Sequence, residues 1–369
     1  MRIPFVDLAL QHAEIAAEIE SGFARVLREM SLILNEDVAR FEADFARFCG
    51  RQHCVAVASG TDALELMLRA VGIARDDEVI LPTNSYIATA LAVVRAGAVP
   101  VLVDCEPGQL LIDVERVEQR IGPRTRAILA VDLYGQIAEM EALAVLADAH
   151  GLLLLEDAAQ AHGATRHGLG IGSRAHAAAI SFYPGKNLGA YGDAGGVLTD
   201  DQAVSDRVRA LRNYGSVVRY HHPEMGFNSR MDSLQAVVLN AKLRRLHAWN
   251  EERRLAAARY AELLSDLPQV SVPGTMTGNC HVWHLYVVRI PHRDAVLSRL
   301  NQSGIGAAIH YPKPIHLQGA FQSLGHTAGD FPISEAAAAE ILSLPMYPGI
   351  TPDQQAEVVE HLRRALSES

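Results

Sequence analysis

From Glu78 onward, short runs of uninterrupted apolar residues alternate with stretches of helical spacing, and this rhythm narrows the possible folds more than any other feature of the chain. EVILP, VPVLVD, TRAILAVDL and LLLLED read as strands without polar alternation, a pattern expected of strands covered on both faces. Between them, Asn84-Ser85-Tyr86 opens a helix, a second helix falls near Val114 to Ile121, and a third spans Met140 to His150. Strand and helix in alternation predict an α/β fold with a mainly parallel sheet, whose ligands sit outside the carboxyl ends of the strands.

One such end carries Asp157, just after the apolar run Leu152 to Leu155. A carboxylate at that depth is costly unless a cation or hydrogen-bond donors meet it, and a protonated pyridine nitrogen would serve. Earlier in the chain, His53 to Ala58 reads as a strand, Ser59-Gly60-Thr61-Asp62 as a turn with capping residues, and Ala63 to Val71 as a helix. The first turn of that helix offers free backbone N–H groups and two hydroxyls, which suit a phosphate; the same pattern also makes an ordinary capped helix.

The stretch ISFYPGKNLGAYGDAGGVLT, from Ile180 to Thr199, holds a single lysine, Lys186, among small, apolar and glycine residues. Lysine stands only at 186, 242 and 313, so 30 of the 33 basic residues are arginine. A lysine amine in a poorly hydrated pocket can lose its proton and attack a carbonyl, which a guanidinium cannot. Lys186 is therefore a candidate nucleophile, against the plainer reading of a lysine lying over apolar surface.

With 369 residues, 49% of them hydrophobic, the chain has material for two domains. The change of domain is expected inside one long helix running from Asp232 to Arg254 and beyond, near Leu246, which gives a large domain over 1–245 and a smaller α+β domain over 246–369. Helices are also expected over Ala13 to Met30, Asp37 to Cys49, Gln202 to Tyr214, Arg293 to Ser303 and Glu335 to Leu342, and after Thr351-Pro352. Val217 to Arg230 reads as a polar, aromatic loop, HVWHLYVVRI as a strand and SLPMYPG as an extended segment. No apolar run reaches the roughly 18 residues of a membrane span, and MRIPFVDLALQH does not resemble a leader, so a cytoplasmic protein is expected. A formal charge of −10 argues against broad binding to nucleic acid or anionic membrane. Cys49, Cys54, Cys105 and Cys280 lack metal spacing, and the pairs His221-His222 and His281/His284 lack suitably spaced partners, so no metal site is expected.

SGTDAL, TNSYIATA, EDAAQAHGA, SFYPGKNLGAYGDAGG, NYGS, GFNSRMDSLQA and HYPKPIHLQ, in this order and spacing, resemble the DegT/DnrJ/StrS-type sugar aminotransferases. The resemblance extends from PFVDL near the start to LSLPMYP near the end. It implies a fold-type I aminotransferase with a seven-stranded, mixed but mainly parallel sheet, pyridoxal 5′-phosphate as cofactor, and a homodimer with shared active sites. It further implies that Lys186 condenses with the cofactor aldehyde and moves the proton, that Asp157 pairs with the pyridinium nitrogen, and that Gln160 partners the ring hydroxyl. Tyr86 would stack on the ring, and Gly60, Thr61 and Ser181 would cradle the phosphate, joined by Asn228 from the neighbouring subunit. His162 would orient the ring or simply pack. At Asp132 the chain departs from the family, many of whose members have histidine there.

The same resemblance implies a nucleotide-linked keto sugar as acceptor and glutamate as donor. TNSYIATA, PGKNLGAYGDAGG and NYGS followed by RYHH are most similar to members that aminate C-3 of dTDP-3-keto-6-deoxyhexoses in deoxyaminosugar synthesis. Tyr311, Lys313 and His316 would then close over substrate, while Arg219, Tyr220 and Arg230 would approach the adjacent subunit. The alternatives are a UDP-linked 3-keto hexuronate or a 4-keto hexose as acceptor, a sugar dehydrase, from which the lysine is typically absent, and a non-catalytic sensor.

Overall fold

The computed structural model describes residues 2–368. Helices α1 (Leu8–Glu29) and α2 (Glu36–Phe48) precede β1 (His53–Val57) and α3 (Gly60–Ala70). The alternating region follows as β2 (Glu78–Pro82), α4 (Ile87–Ala96), β3 (Val99–Val103), α5 (Val114–Glu118), β4 (Thr125–Val131), α6 (Met140–His150) and β5 (Leu153–Asp157). Two short strands, β6 (Thr165–Arg166) and β7 (Leu169–Gly170), lead to β8 (Ala177–Ser181), β9 (Gly195–Thr199) and α7 (Gln202–Leu211). The rest comprises α8 (Ser233–Leu243), α9 (Leu246–Leu263), β10 (Asn279–Cys280), β11 (Tyr286–Arg289), α10 (Arg293–Gln302), α11 (Pro332–Glu340), β12 (Ile341–Leu344) and α12 (Pro352–Ser367).

Seven strands form the main sheet in the order β1-β9-β8-β5-β4-β2-β3. β8, β5, β4, β2 and β3 run parallel to one another, and β9 runs against both of its neighbours. Alternate residues of these apolar strands serve opposite faces. Ile80, Ile128 and Leu154 pack with Phe41, Phe45 and Leu143, whereas Val79, Leu81, Leu129 and Leu155 pack with Leu64, Met67 and Val93. Because helices cover both faces, polar chemistry is left to the strand ends, as the sequence pattern predicts. None of the described helices is long and apolar enough to cross a membrane.

A third core gathers Tyr260, Tyr286, Val288, Leu300, Leu344 and Leu362 from α9, β11, α10, β12 and α12. Ile3 joins it from the amino-terminal end, where the main-chain N–H groups of Arg2 and Ile3 donate to Gly304. α12 starts at a reciprocal cap in which Thr351 and Gln354 satisfy each other's backbone N–H groups, with Pro352 in the first turn.

Three segments depart from the sequence reading. The single helix expected from Asp232 onward is two helices, broken at Arg244-Arg245, where Arg245 N–H donates to the Lys242 carbonyl. The break lets α8 pack in the first core while α9 turns its Ala256, Ala257 and Tyr260 into the third. α11 begins at Pro332 and ends at Glu340, so Ile341 and Leu342 are strand: they pair with Arg289 and Val288 of β11. Asp104 draws the start of α11 forward by accepting from the main-chain N–H groups of Ile333 and Ser334. In HVWHLYVVRI only Tyr286–Arg289 is strand, because Val282 N–H donates to Gly135 and Trp283 takes φ 47°, which diverts the first half.

Glycine is required where β9 passes the start of α3. A Cβ on Gly195 would lie well inside contact distance of the Ser59 carbonyl oxygen, and it would stand 2.7 Å from the Gly60 nitrogen. Both are backbone atoms that cannot swing aside. We expect Gly195→Ala to cost about 2 kcal/mol or more, read as a lower urea midpoint with an unchanged slope; a midpoint equal to the parent's would show that the two segments separate freely.

Candidate active site

Outside the carboxyl ends of β4 and β5 lies a cavity of about 710 Å³, lined by Gly60, Thr61, Tyr86, Asp157, Gln160, Ser181, Lys186 and Tyr311 among others. Eight residues that the sequence places at the site thus share one chamber. Each arrives from a different structural rule.

Asp157 is the last residue of β5 and is 5% exposed. Its Oδ2 accepts from the Thr89 hydroxyl at 2.8 Å and its Oδ1 from the Ala159 N–H at 3.2 Å. Burial raises its pKa, opposed by those two bonds and by the Lys186 ammonium. Thr89 itself is in reach of Ser85 Oγ at 2.6 Å, just before the start of α4. Lys186 sits in the turn after β8 with its main chain tied to the Tyr183 carbonyl. Burial lowers its pKa to about 8, and the Asp157 charge holds it from falling further. A half-buried amine with its pKa brought down toward neutrality near a carboxylate is what nucleophilic attack on a carbonyl demands.

The residue after the lysine carries the anchor. Asn187 is 2% exposed, and its Nδ2 donates to Asn250 Oδ1 and to the Val282 carbonyl, both at 2.9 Å. At the opposite wall, Ser59 caps α3 by accepting from Asp62 N–H. The N–H groups of Gly60 and Thr61 meet no acceptor among the described residues, so the helix start presents two free donors beside Ser181. These features fit pyridoxal phosphate: an anion cradle, an amine and a deep carboxylate face one space. Gln160 bridges Tyr134 N–H, which it accepts at 2.6 Å, and the Tyr311 hydroxyl, to which it donates at 3.0 Å. The Tyr86 ring is 5.2 Å from that of Tyr311 and stays 54% exposed.

Other expected residues lie elsewhere. Asn228 bridges to Asn213 outside the chamber, Arg230 donates to Asn213 Oδ1 and lies over the Tyr214 ring, and Tyr220 is exposed on the loop with Arg219 over its ring. Lys313 borders a separate small hollow with Asn84 and Leu110. His316 is outside the chamber lining: it is buried, its Nδ1 is 2.9 Å from the Thr83 hydroxyl and its Nε2 3.0 Å from Glu335. Its two nitrogens join the 315–317 turn to the end of β2 and to α11. His162 packs against Phe182 with its Nε2 on the Ser181 carbonyl, and burial holds its pKa down at about 3.

Several cavity residues are not singled out by the sequence reading. Thr89 could have been found from its place one turn into α4, in line with Ser85. Phe5, His284 and His310 also line the chamber, and they come from segments that look like a terminus and two strands.

Behind the sheet, Asp132 and Glu156 face each other in full burial. Asp132 Oδ1 accepts from Ala138 N–H and Glu156 Oε2 from Gly172 N–H, which leaves Asp132 Oδ2 and Glu156 Oε1 with no other partner. A single proton between them satisfies both. Burial first, and then Glu156, push the Asp132 pKa well above the carboxylate range. The folded protein therefore keeps a proton that the unfolded chain releases above about pH 4, and stability falls as pH rises toward the raised native value. Asp132→Asn retains a donor that cannot ionise. Its stability relative to the parent is expected to grow by up to about 1.4 kcal/mol per pH unit, measured by urea unfolding at several pH values; parallel curves would refute the shared proton.

Comparison with known proteins places these features in context. Residues 13–363 match the model of the DegT/DnrJ/EryC1/StrS aminotransferase family. The chain is 46% identical over 363 residues to the erythromycin biosynthesis sensory transduction protein EryC1 of Saccharopolyspora erythraea, covering 98% of this chain and 99% of that one. It is 45% identical over 362 residues to the dTDP-3-amino-3,4,6-trideoxy-alpha-D-glucose transaminase of Streptomyces venezuelae, covering 98% and 96%. The crystal structure of S. venezuelae DesV in complex with a ketimine intermediate superimposes with a TM-score of 0.96 at 45% identity, over 98% of both chains.

Proposed function

The chain belongs to the DegT/DnrJ/EryC1/StrS aminotransferase family, and on that premise we propose that it transfers an amino group from glutamate to C-3 of a dTDP-linked 3-keto-6-deoxyhexose. Enzymes of this family use pyridoxal phosphate, which, when bound, supplies an aldehyde carbon and an electron-withdrawing ring. The observation that carries the reading is the shared chamber of Lys186, Asp157 and the free N–H groups at the start of α3. Lys186 Nζ, with its pKa down at about 8, is available to take a proton from carbon and return it. Asp157, whose two oxygens are fixed by Thr89 and Ala159, would hold a proton at the ring nitrogen. Gly60, Thr61 and Ser181 would hold the phosphate.

The sugar class rests on the chamber's lining and on the relatives. Lys186 is the one lysine or arginine among the lining residues, and Phe5, Leu8, Leu133 and Leu285 make much of the wall. One chain by itself brings no guanidinium to a hexuronate carboxylate, and the choice of a 6-deoxy sugar is supported by the likeness to the dTDP-3-amino-3,4,6-trideoxy-alpha-D-glucose transaminase. A second copy of the chain is part of the reading: Tyr183, Tyr214, Val217, Val218 and Met225 are all exposed, and Asn228 and Arg230 lie outside the chamber of their own chain.

Borohydride reduction of the cofactor-loaded protein is expected to fix the cofactor on the peptide containing Lys186, and glutamate plus the dTDP-linked keto sugar to yield 2-oxoglutarate and the amino sugar. Lys186→Arg should abolish both. Asp157→Asn should bind cofactor and slow turnover by at least about a hundredfold. Cofactor fixed at another lysine would overturn the role of Lys186, and a panel of keto sugars in which a 4-keto hexose or 3-keto hexuronate is preferred would overturn the substrate.

A further inference from the structure

His284 enters the chamber from the diverted half of HVWHLYVVRI, and the network behind it dictates which of its nitrogens carries hydrogen. The chain of donors starts from two main-chain oxygens, which can only accept. Asn250 Nδ2 donates to the His162 carbonyl at 2.8 Å, so Asn250 Oδ1 is the acceptor for Asn187 Nδ2. Asn187 Nδ2 also donates to the Val282 carbonyl. Asn187 Oδ1 is thereby turned toward His284, whose Nδ1 lies 3.1 Å away. An amide oxygen has no hydrogen to give, so His284 Nδ1 must donate. The remaining nitrogen, Nε2, then bears a lone pair, and it has no partner among the described residues.

The ring is held neutral by its surroundings. Burial lowers its pKa well below the usual histidine value, and the charges that face it, Lys186 and Arg253, with His162 and His310 beside them, act in the same direction. The neutral form with hydrogen on Nδ1 satisfies the Asn187 and Asn250 amides and leaves Nε2 as a free acceptor.

Resting on the aminotransferase reading above, we propose that His284 is a specificity-determining residue whose Nε2 accepts a hydrogen bond from a sugar hydroxyl on a carbon next to the one being aminated. His284 and Lys186 line the same chamber, and His284 Nδ1 is tied to Asn187, the residue that follows the lysine, which keeps the imidazole at the reacting end of the substrate. There a keto sugar offers hydroxyls as donors, whereas its carbonyl and phosphate oxygens accept only. A second ketone at the adjacent carbon would set lone pair against lone pair and be rejected.

Imidazole 15N spectra of the cofactor-loaded protein should show His284 with hydrogen on Nδ1 and no titration from about pH 5 to about pH 8. Binding of the dTDP-linked 3-keto-6-deoxyhexose should then shift Nε2 alone. His284→Asn, which keeps an amide near the Nδ1 position, should raise KM about tenfold with a smaller change in kcat, and His284→Gln, which restores an acceptor near Nε2, should recover most of it. The sugar lacking that hydroxyl should cost the parent about the same factor and cost His284→Asn nothing further. Hydrogen on Nε2, titration in this range, a bound sugar that leaves Nε2 unmoved, or equal losses in parent and variant would each overturn the proposal. A sugar that fails to bind at all, with the spectrum as expected, overturns the substrate reading and this contact with it.

Discussion

Two ionisable groups partly or wholly withdrawn from water, the half-buried Lys186 amine and the buried Asp157 carboxylate, set the terms for the rest of the structure. Burial alone would neutralise both, lowering the one and raising the other, and each charge opposes that tendency in its partner. The balance leaves an amine near neutrality, and it survives only if neither group can relax toward solvent. Thr89 and the Ala159 N–H pin the carboxylate from α4 and from the turn after β5. Asn187 pins the lysine's neighbour to Asn250 and Val282, which come from α9 and from the diverted segment before β11. The chamber thus depends on α9 and the segment before β11 as well as on the main sheet.

How far this could be foreseen differs residue by residue. The parallel sheet was legible because strands covered on both faces lose polar alternation, and Leu152 to Leu155 followed by an acid at 157 leaves little else to infer. Lys186 was legible because lysine is so scarce in this chain. The break at Arg244-Arg245 was not, since helical spacing continues through it and only the separate packing of α8 and α9 demands a bend. The partners of His316 were not legible, because a histidine in HYPKPIHLQ looks the same whether it faces solvent or spans Thr83 and Glu335. Asn228, Tyr220 and Arg230 lie outside the chamber of their own chain, and a single sequence holds no signal for what a second copy would place against them.

Buried polar groups in this chain are mostly answered by the backbone rather than by opposite charge. Asp104 meets two N–H groups of α11, Asp132 that of Ala138, Glu156 that of Gly172 and Asp157 that of Ala159. Asp37, Glu42 and Glu65 are the contrast: Asp37 pairs with Arg25 and Arg40, Glu65 with Arg69 and Arg95, and Glu42 with Arg209 and Arg212 while also accepting from Ala56 N–H. Backbone donors are fixed by the fold and carry no net charge, so they stabilise a carboxylate without placing a competing cation near the amine at 186.

The diverted segment before β11 shows why a motif can be present in sequence and opaque in function. His281 to Leu285 has the apolar and aromatic character of a strand, yet the Gly135 carbonyl takes the Val282 N–H and His281 Nδ1 takes that of Trp283. Those two bonds remove the donors that a sheet neighbour would need, and the chain turns. His281 stacks on Trp283 at 3.8 Å, which closes the outer side of the turn, and His284 is carried to the inner side, against Asn187. Of the five residues that would have extended β11, His284 and Leu285 line the chamber instead, because main-chain hydrogen bonds available from the 135 turn outcompete those of a sheet edge.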